Sequence, residues 1–278
     1  ADTAGLIGWV AAVAIACSFF ATPLRVALTA SLAGVVASLP ITLMVATSIL
    51  QVNIMLETGA IARVVALVKS VAPKDQVVQI MIVNVGFGTL LAALGATPVS
   101  ILPPIMLALG YSSFIAIALP AIGYDALTTY ALLGIPVVVF ANFVGQPVDV
   151  VGGYFARYMP VISSCIALGM LWIVGGWTML RRGLIPALLA GLTAGFVAIG
   201  MNAIGMVTLT GVAAGLGVIA VMLVYLLVTR KPLWDKNVQN DADRAAEARI
   251  SFGRAVSPWL ILPGFAVLVN APFLPFFN

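Results

Sequence analysis

The residues best suited to chemistry in this sequence lie in a long apolar stretch between Asp75 and Asp149. Within that stretch only Asp125 carries a charge. A charged side chain in the middle of a bilayer costs about 2.5–3.5 kcal/mol on insertion scales, and such residues usually face a cavity and serve transport. We therefore interpret Asp125 as a proton-coupling carboxylate, with sodium coupling left open. The alternative is that residues 124–130 form a surface turn in which Asp125 is simply solvated.

The same stretch is interrupted by Gly, Pro, Ser, Thr and Asn residues, a pattern that indicates broken helices. The N-terminus of a half-helix presents free N–H groups and a partial positive charge, which transporters use to bind anions. Because no Arg or Lys lies between Lys74 and Arg157, an anionic substrate would depend on backbone amides and hydroxyls. The alternative is that these Gly and Pro residues are only packing notches and kinks. The candidate substrate-binding residues are Asn84, Gly86, Gly88, Thr89, Thr97, Ser100, Tyr124, Thr128 and Thr129.

Composition places these residues in a membrane protein. Hydrophobic residues make up 63% of the sequence and charged residues 8%, and the mean hydropathy is +1.18. These values predict an all-α fold, a polytopic transmembrane helical bundle with interrupted helices. The basic residues lie in connecting segments, as in cytoplasmic loops, so we expect no nucleic-acid partner.

The residue types also argue against an enzyme. The sequence contains no histidine, which excludes histidine-ligated metals and imidazole-based triads. We find no serine with a base partner and no acid pair at helical spacing in the predicted membrane segments, so we expect no catalytic residues, no cofactor and no metal. Cys17 and Cys165 each lie inside an apolar run, which predicts buried free thiols instead of a disulfide.

The apolar segments predict the elements that hold the central stretch. A membrane-spanning helix needs about 20 mostly apolar residues, which residues 4–22 provide. Residues 26–56 suit one tilted helix kinked at Pro40 or two shorter helices. The predicted regions are N-terminal transmembrane helices at 1–56, an amphipathic loop at 57–75, an interrupted-helix transport core at 76–148, a three-helix scaffold at 149–229, a polar cytoplasmic loop at 230–257 and the start of a further transmembrane segment at 258–278.

Finer features follow from local signals. The apolar spacing in 57–75 suits a surface helix with solvated charges, ended by Pro73. Basic residues at 181–182 and 230–231 mark one end of a helical hairpin as cytoplasmic. In the core we expect a helix at 76–95 that loosens near Gly86–Gly88, interruptions at Thr97-Pro98 and Pro103-Pro104, and a half-helix at 113–123. In the scaffold we expect helices at 158–180, 184–206 and 208–229, with close packing at the pairs Gly191/Gly195 and Gly211/Gly215.

The order of motifs resembles the L-lactate permease family, which also includes glycolate permeases. The matching stretches are LETGAIARVVALVKSVAPKDQVVQIMIVNVGFG at 56–88, TPVSI at 97–101, LALGY at 107–111 and ALLGIPV at 131–137. The resemblance implies proton-coupled secondary transport of small 2-hydroxycarboxylates through the cytoplasmic membrane of a prokaryote. It also implies that the GFG segment (86–88) and the TPV segment (97–99) belong to an interrupted-helix site, which the LGIP segment (133–136) completes.

Two departures from the family concern the acidic residue. Family members usually carry a Glu-Gly pair after the first FG turn, where this sequence reads TLLAALGA at 89–96, without an acid. They also tend to have a neutral Asn-Thr-Ala-Pro-like run before the LGIP step, where this sequence carries Asp125. Our hypothesis is that the coupling carboxylate has moved from the first broken helix to the second.

A third departure is length, because family members are considerably longer. Transporters are commonly built from two inverted repeats around a central site, and this sequence resembles one half: a fragment, a split half or a half that pairs with itself. The expected partners are a small carboxylate such as L-lactate or glycolate, protons, the lipid bilayer, and a second half-transporter chain or a second copy. The alternatives are transport of another small anion and a non-transporting membrane subunit of a larger complex.

Overall fold

The computed structural model describes residues 2–72, 75–235, 239–258 and 261. The chain divides into two compact units, residues 1–47 and residues 48–278. The described residues are predominantly helical, and four stretches among them are long and apolar enough to cross a membrane. The all-α membrane fold is thereby confirmed. The four stretches are Gln76–Ala93, Ala126–Val144, Val148–Ala203 and Val207–Val228.

The helices have the following order and bounds. Two non-α segments interrupt the predicted transport core at 76–148: a π-helix at Met81–Phe87 and a 3-10 helix at Tyr124–Tyr130. A short 3-10 turn at Val207–Leu209 precedes the helix Thr210–Val228. The further transmembrane segment predicted at 258–278 lies outside the described residues apart from 258 and 261. The α-helices are α1 (Asp2–Ser18), α2 (Leu24–Glu57), α3 (Ala60–Ser70), α4 (Gln76–Ile80), α5 (Gly88–Ala93), α6 (Pro98–Ala108), α7 (Ser113–Gly123), α8 (Ala131–Val144), α9 (Val148–Ala203), α10 (Thr210–Val228) and α11 (Asp241–Arg249).

The first unit contains α1 and the first part of α2. Trp9 on α1 donates a hydrogen bond from Nε1 to Ser31 Oγ on α2 at 3.0 Å. Many large apolar side chains of this unit are exposed, which suits a lipid-facing surface. Helix α2 continues through Pro40 without a break. Of the two alternatives predicted for residues 26–56, the single long helix is therefore right.

The longest helix, α9, is a hairpin with two arms. Non-helical backbone at 175–176 turns the chain, and the second of these glycines has φ +55° and ψ −142°, a conformation open mainly to glycine. The arms are antiparallel, because Gly191 lies against the backbone of Ser164 while Gly195 lies against that of Pro160. A side chain at either glycine would collide with backbone, so the predicted close packing at this glycine pair is confirmed.

The position of this turn corrects a prediction. The break between the two scaffold helices was expected at Arg181-Arg182, but both arginines lie inside the second arm. The backbone conformation at 175–176 sets the turn. Arginines near a helix end can extend along the apolar surface and keep their charge in water. The guanidinium of Arg181 lies 5.0 Å from the centre of the Trp177 ring.

Four basic residues lie at one end of the second unit, which we call the basic end. Helix α10 is antiparallel to the second arm of α9, because Asn202 Nδ2 donates to Thr210 Oγ1 at 3.1 Å while Gly217 lies against Val197. The start of the second arm and the end of α10 therefore lie together. The residues that define the basic end are Arg181, Arg182, Arg230 and Lys231.

The start of α4 is attached to the basic end by an ion pair. Lys231 Nζ lies 2.6 Å from Asp75 Oδ2, and this hydrogen bond raises the pKa of the Lys231 ammonium above its ordinary value. Asp75 also accepts hydrogen bonds from the backbone of Val77 and Val78, so it caps the N-terminus of α4. A carboxylate at this position satisfies free N–H groups of the first helical turn.

Helices α3 and α11 pack against each other, with their charges between them. Lys69 Nζ contacts both carboxylate oxygens of Asp243, at 2.8 and 2.9 Å, and Arg63 Nη2 contacts Glu247 Oε1 at 3.0 Å. Both cations are buried. The amphipathic pattern predicted for α3 is right, but the predicted solvation of these charges is wrong, because α11 covers them. Helix α3 ends at Ser70, before Pro73.

The first interrupted helix comprises α4, the π-helix, α5 and α6. Helix α6 returns along α5, because Leu102 Cδ1 lies 3.4 Å from a β-carbon built at Gly88. The chain breaks before Pro98, the first residue of α6, where the missing N–H of proline removes no helical hydrogen bond. The predicted interruption at Pro103-Pro104 is wrong, since both prolines lie inside α6.

The second interrupted helix begins with α7, whose bounds agree with the predicted half-helix at 113–123. Eleven helical residues rise about 16 Å, which is too short for a hydrocarbon core of about 30 Å. The chain continues as the 3-10 helix and then passes through left-handed backbone at Leu132, Leu133 and Gly134, with φ of 51°, 55° and 80°. This conformation costs L-residues about 1–2 kcal/mol each, so the surrounding packing must hold the break.

Candidate functional site

Asn84 lies where the two interrupted helices meet. It belongs to the π-helix, about halfway along the Gln76–Ala93 stretch, and its side chain is fully buried. Its Nδ2 lies 3.5 Å from Met106 Sδ on α6. A β-carbon built at Gly123, the end of α7, would lie 2.8 Å from Asn84 Cβ and 3.0 Å from Met170 Sδ on α9. Helices α6, α7 and α9 therefore all reach the neighbourhood of Asn84.

Two buried side-chain oxygens in this stretch, Asn84 Oδ1 and Thr89 Oγ1, have no hydrogen-bond partner. The amide nitrogen of Asn84 donates to Ile80 O at 3.2 Å, which leaves the oxygen as a free acceptor. A buried polar group without a partner costs about 1–3 kcal/mol, and each such group in a folded protein needs an explanation. An amide oxygen can accept a hydroxyl proton from a ligand, and a threonine hydroxyl can donate to a carboxylate.

The two predicted glycines of this helix, Gly86 and Gly88, face different neighbouring elements. A β-carbon at Gly86 would lie 2.7 Å from Ile219 Cγ1, and one at Gly215 would lie 2.8 Å from Gly86 O, so the backbones of the π-helix and α10 touch. A β-carbon at Gly88 would lie 3.6 Å from Tyr124 Cβ. Gly86 thus permits close packing, which was the alternative interpretation for the glycines of this stretch, whereas a β-carbon at Gly88 would make only ordinary van der Waals contacts.

The amides at 86–89 are not free, in contrast to the predicted half-helix N-terminus. The N–H of Gly88 donates to the carbonyls of Val83 and Val85, and α5 continues from there to Ala93. The GFG turn therefore loosens the helix to a π-helix without opening it. A π-helix inside an α-helix is rare and frequently occurs at functional sites.

Thr97 and Ser100 lie at a true half-helix N-terminus. Thr97 precedes α6 and makes no side-chain capping hydrogen bond, and the N–H of Ser100 donates to Thr97 O at 3.0 Å. Both residues are exposed. The contacts around Asn84 bring together Gly88, Tyr124 and the end of α7, and they do not include Thr97 or Ser100.

The 3-10 helix Tyr124–Tyr130 is not the surface turn of the alternative interpretation, because Ala126, Leu127 and Tyr130 are almost completely buried. Its backbone is irregular, with Leu127 at φ −140° and ψ 28°. Irregular backbone at membrane depth is tolerated where protein or water satisfies it. The side chain of Asp125 lies outside the described part of the structure, and its backbone belongs to this segment.

The predicted hydroxyls of this segment are partly buried. Tyr124 packs its β-carbon near Gly88, and Thr128 Oγ1 donates to Tyr124 O at 3.2 Å. Thr128 and Thr129 are both half-buried. The structure thus places Tyr124 directly beside the π-helix and the two threonines further along the same segment.

Two residues outside the predicted site hold this segment. Ser163 Oγ on α9 donates to Ala126 O at 3.0 Å, and Tyr130 OH donates to Gly152 O at 2.8 Å. Both side chains are fully buried. Sequence reasoning did not select them, although a polar Ser163-Ser164 pair inside an apolar helix was a signal that could have done so.

The described residues contain no cluster of three Cys, Asp or Glu side chains that could hold a metal ion. Cys17 and Cys165 are free thiols. Cys165 is exposed, whereas a buried thiol was predicted, because it lies on an outer face of the first arm of α9.

Comparisons with known proteins agree with the resemblance in the sequence. The profile of the L-lactate permease family matches residues 1–278. A glycolate permease of Escherichia coli is 26% identical over 192 residues, which cover 68% of this chain and 34% of the relative. An L-lactate permease of Salmonella typhimurium is 28% identical over 172 residues, 60% of this chain and 31% of the relative. An L-lactate permease of Bacillus subtilis is 28% identical over 179 residues, which cover 63% of this chain and 31% of the relative.

The matched part of the chain spans about a third of the length of these relatives. No solved structure matches the chain. The relatives are named as permeases, so the expectation of a transporter instead of an enzyme agrees with them. Because the family profile covers the whole sequence, this multi-pass membrane protein with two interrupted helices belongs to the L-lactate permease family.

Proposed function

We propose that the chain forms the coupling core of a secondary transporter for small monocarboxylates, L-lactate and glycolate first, which works by alternating access in the cytoplasmic membrane of a prokaryote. Membership of the family and the printed names of the relatives support the substrate class. The observation that carries the proposal is the pair of buried, unpartnered oxygens at Asn84 and Thr89, close to the point where the interrupted helices meet.

The substrate would satisfy these two oxygens. Its 2-hydroxyl donates to Asn84 Oδ1, and its carboxylate accepts from Thr89 Oγ1. The start of α6 at Thr97–Ser100 lies outside the contacts around Asn84, and the partial positive charge of this helix end would attract the substrate anion on its way to the site. The hydroxyls of Tyr124, Thr128 and Thr129 complete the polar lining. Gly86 contributes through close helix packing, and neither Gly86 nor Gly88 contributes through its amide.

Asp125 supplies the proton coupling. It is the one charged residue between Asp75 and Asp149, and its backbone lies on the irregular segment beside the π-helix. Protonation of Asp125 would accompany the entry of the anionic substrate and offset its charge. Sodium instead of a proton remains the alternative coupling ion.

The complete site needs a second half. Secondary transporters commonly place the substrate between two repeats, and the matched part of the chain spans about a third of the length of its relatives. Further protein, from the rest of a longer chain, a second half-transporter chain or a second copy of this chain, would close the site from the other side. The basic end would face the cytoplasm, since Lys and Arg favour that side.

The test is uptake of labelled L-lactate into proteoliposomes that contain the chain, with unlabelled competitors. Glycolate should reduce the uptake, whereas lactamide, which has the same hydroxyl but no carboxylate, should not. Protein-free liposomes give the background, and any partner that co-purifies is added in a parallel sample. Uptake at background in both samples, or equal competition by lactamide, would contradict the proposal.

A further inference from the structure

The irregular 3-10 helix is attached to the first arm of α9 at both of its ends. Near its start, Ser163 Oγ donates to Ala126 O at 3.0 Å. At its end, Tyr130 OH donates to Gly152 O at 2.8 Å. Both donor side chains have no exposed surface. The two hydrogen bonds bracket residues 127–129, which include the proposed substrate residues Thr128 and Thr129, and the proposed coupling residue Asp125 directly precedes the first bonded residue, Ala126.

The backbone of the segment requires such attachment. Leu127 departs from helical geometry, so the regular hydrogen-bond ladder is interrupted there. A backbone carbonyl at membrane depth needs a partner, and the hydroxyl of Ser163 provides one for Ala126. The far end has little freedom to shift, because a β-carbon at Gly211 on α10 would lie 2.9 Å from Tyr130 O.

We propose that Ser163 and Tyr130 are positioning residues, which set the location of Asp125 and Thr128 relative to the π-helix. The proposal rests on the proposed function of the 3-10 helix. Neither residue touches substrate. Loss of either hydroxyl leaves the helices folded but lets the segment move against α9, because helix packing is unchanged while the bracketing bond is absent. Substrate affinity and the pH dependence of uptake then change together.

The variants Ser163→Ala and Tyr130→Phe each remove one hydroxyl and little volume. The matched control is Ser164→Ala. Ser164 is the neighbouring buried serine, and its Oγ donates to Pro160 O within its own helix at 2.6 Å. Loss of one hydrogen bond is expected to raise the KM for L-lactate about two- to tenfold and to shift the pH midpoint of uptake, while Ser164→Ala changes neither. Equal effects of Ser163→Ala and Ser164→Ala would overturn the proposal.

A second measurement does not depend on transport. In a background with Cys17→Ser and Cys165→Ser, Thr128→Cys reports the local position by its rate of reaction with a small thiol reagent. Ser163→Ala and Tyr130→Phe should change this rate at least about twofold in protein that still folds, even where the lost hydrogen bond lowers the thermal midpoint, and Ser164→Ala should not. Unchanged rates in both variants would overturn the positioning role. Absence of lactate uptake in the unsubstituted chain would instead contradict only the proposed function.

Discussion

Gly123, the last residue of α7, lies so close to Asn84 that a β-carbon at position 123 would be 2.8 Å from Asn84 Cβ and 3.1 Å from Asn84 O. This contact joins the end of one interrupted helix to the π-helix of the other. Contacts of this length would be shorter than ordinary van der Waals separations, so a side chain at position 123 would push the two helices apart. The two halves of the proposed site therefore fit together at a residue that has to be glycine.

Gly123→Ala should therefore separate the two interrupted helices. Added volume in a packed interior costs about 1–3 kcal/mol, so we expect a lower thermal midpoint and weaker lactate uptake. The matched control is Gly153→Ala, because nothing lies within 4 Å of a β-carbon at Gly153. Differential scanning fluorimetry in detergent compares the two. Equal midpoints for both variants would show that the close contact at Gly123 is not restrictive.

Asn84 and Asn202 provide a second matched pair. Both are buried, and each has an unpartnered Oδ1. Asn202 Nδ2 bonds to both Ala198 O and Thr210 Oγ1, so Asn202→Ala should lower stability by about 1–3 kcal/mol, as expected when a buried group loses its partner. Asn84→Ala should reduce lactate uptake about tenfold or more, since a site built to bond a substrate hydroxyl depends on that bond. Uptake equally impaired in both variants at equal stability would argue against a substrate role for Asn84.

The ion pairs Lys69–Asp243 and Lys231–Asp75 should differ in strength. Removal of one partner of a buried pair costs about 3–5 kcal/mol, whereas exposed pairs contribute about 0–1 kcal/mol. Lys69→Met breaks the buried pair with Asp243, whose side chains are 10% and 8% exposed, and Lys231→Met breaks a pair whose lysine is 42% exposed. Only Lys69→Met should markedly speed proteolysis between α10 and α11. A double variant that also carries Asp243→Leu should regain part of the loss.

The orientation of the bundle is open to chemical labelling. Val207 is buried, whereas the neighbouring Met206 is 46% exposed, so Met206→Cys is the better probe of the turn before α10. In a background without Cys17 and Cys165, an impermeant thiol reagent should label Met206→Cys in intact cells. Arg182→Cys, at the basic end, should be labelled only after lysis. The reverse pattern would invert the proposed topology.

Parts of the architecture could be predicted from sequence because the signals are local. Hydropathy identifies the membrane class, and residues 113–123 lie between a Ser cap and a polar run, so the bounds of α7 agree with prediction. The burial of Lys69 could not be foreseen, since it depends on α11, far along the chain. The turn at 175–176 was also missed, because the charges at 181–182 are a more conspicuous signal than two glycines.

The candidate site was less predictable for a related reason. Two glycines one residue apart, Gly86 and Gly88, indicate irregular backbone, but the sequence does not distinguish an opened helix from the π-helix that the structure contains. Prolines such as Pro103 favour a break, although a helix tolerates them when neighbouring groups satisfy the freed carbonyls. The hydrogen bonds donated by Ser163 and Tyr130 join residues on different helices. No local sequence pattern therefore predicts them.

The central claim is that this chain couples monocarboxylate transport to protons through Asp125. The most direct measurement is L-lactate uptake into proteoliposomes with and without an inward proton gradient, for the unsubstituted chain, Asp125→Asn and the control Asp149→Asn, whose side chain is exposed at the start of α9. The account predicts that the gradient stimulates uptake by the unsubstituted chain and by Asp149→Asn, and that Asp125→Asn loses the stimulation. Gradient-driven uptake that persists in Asp125→Asn would contradict it.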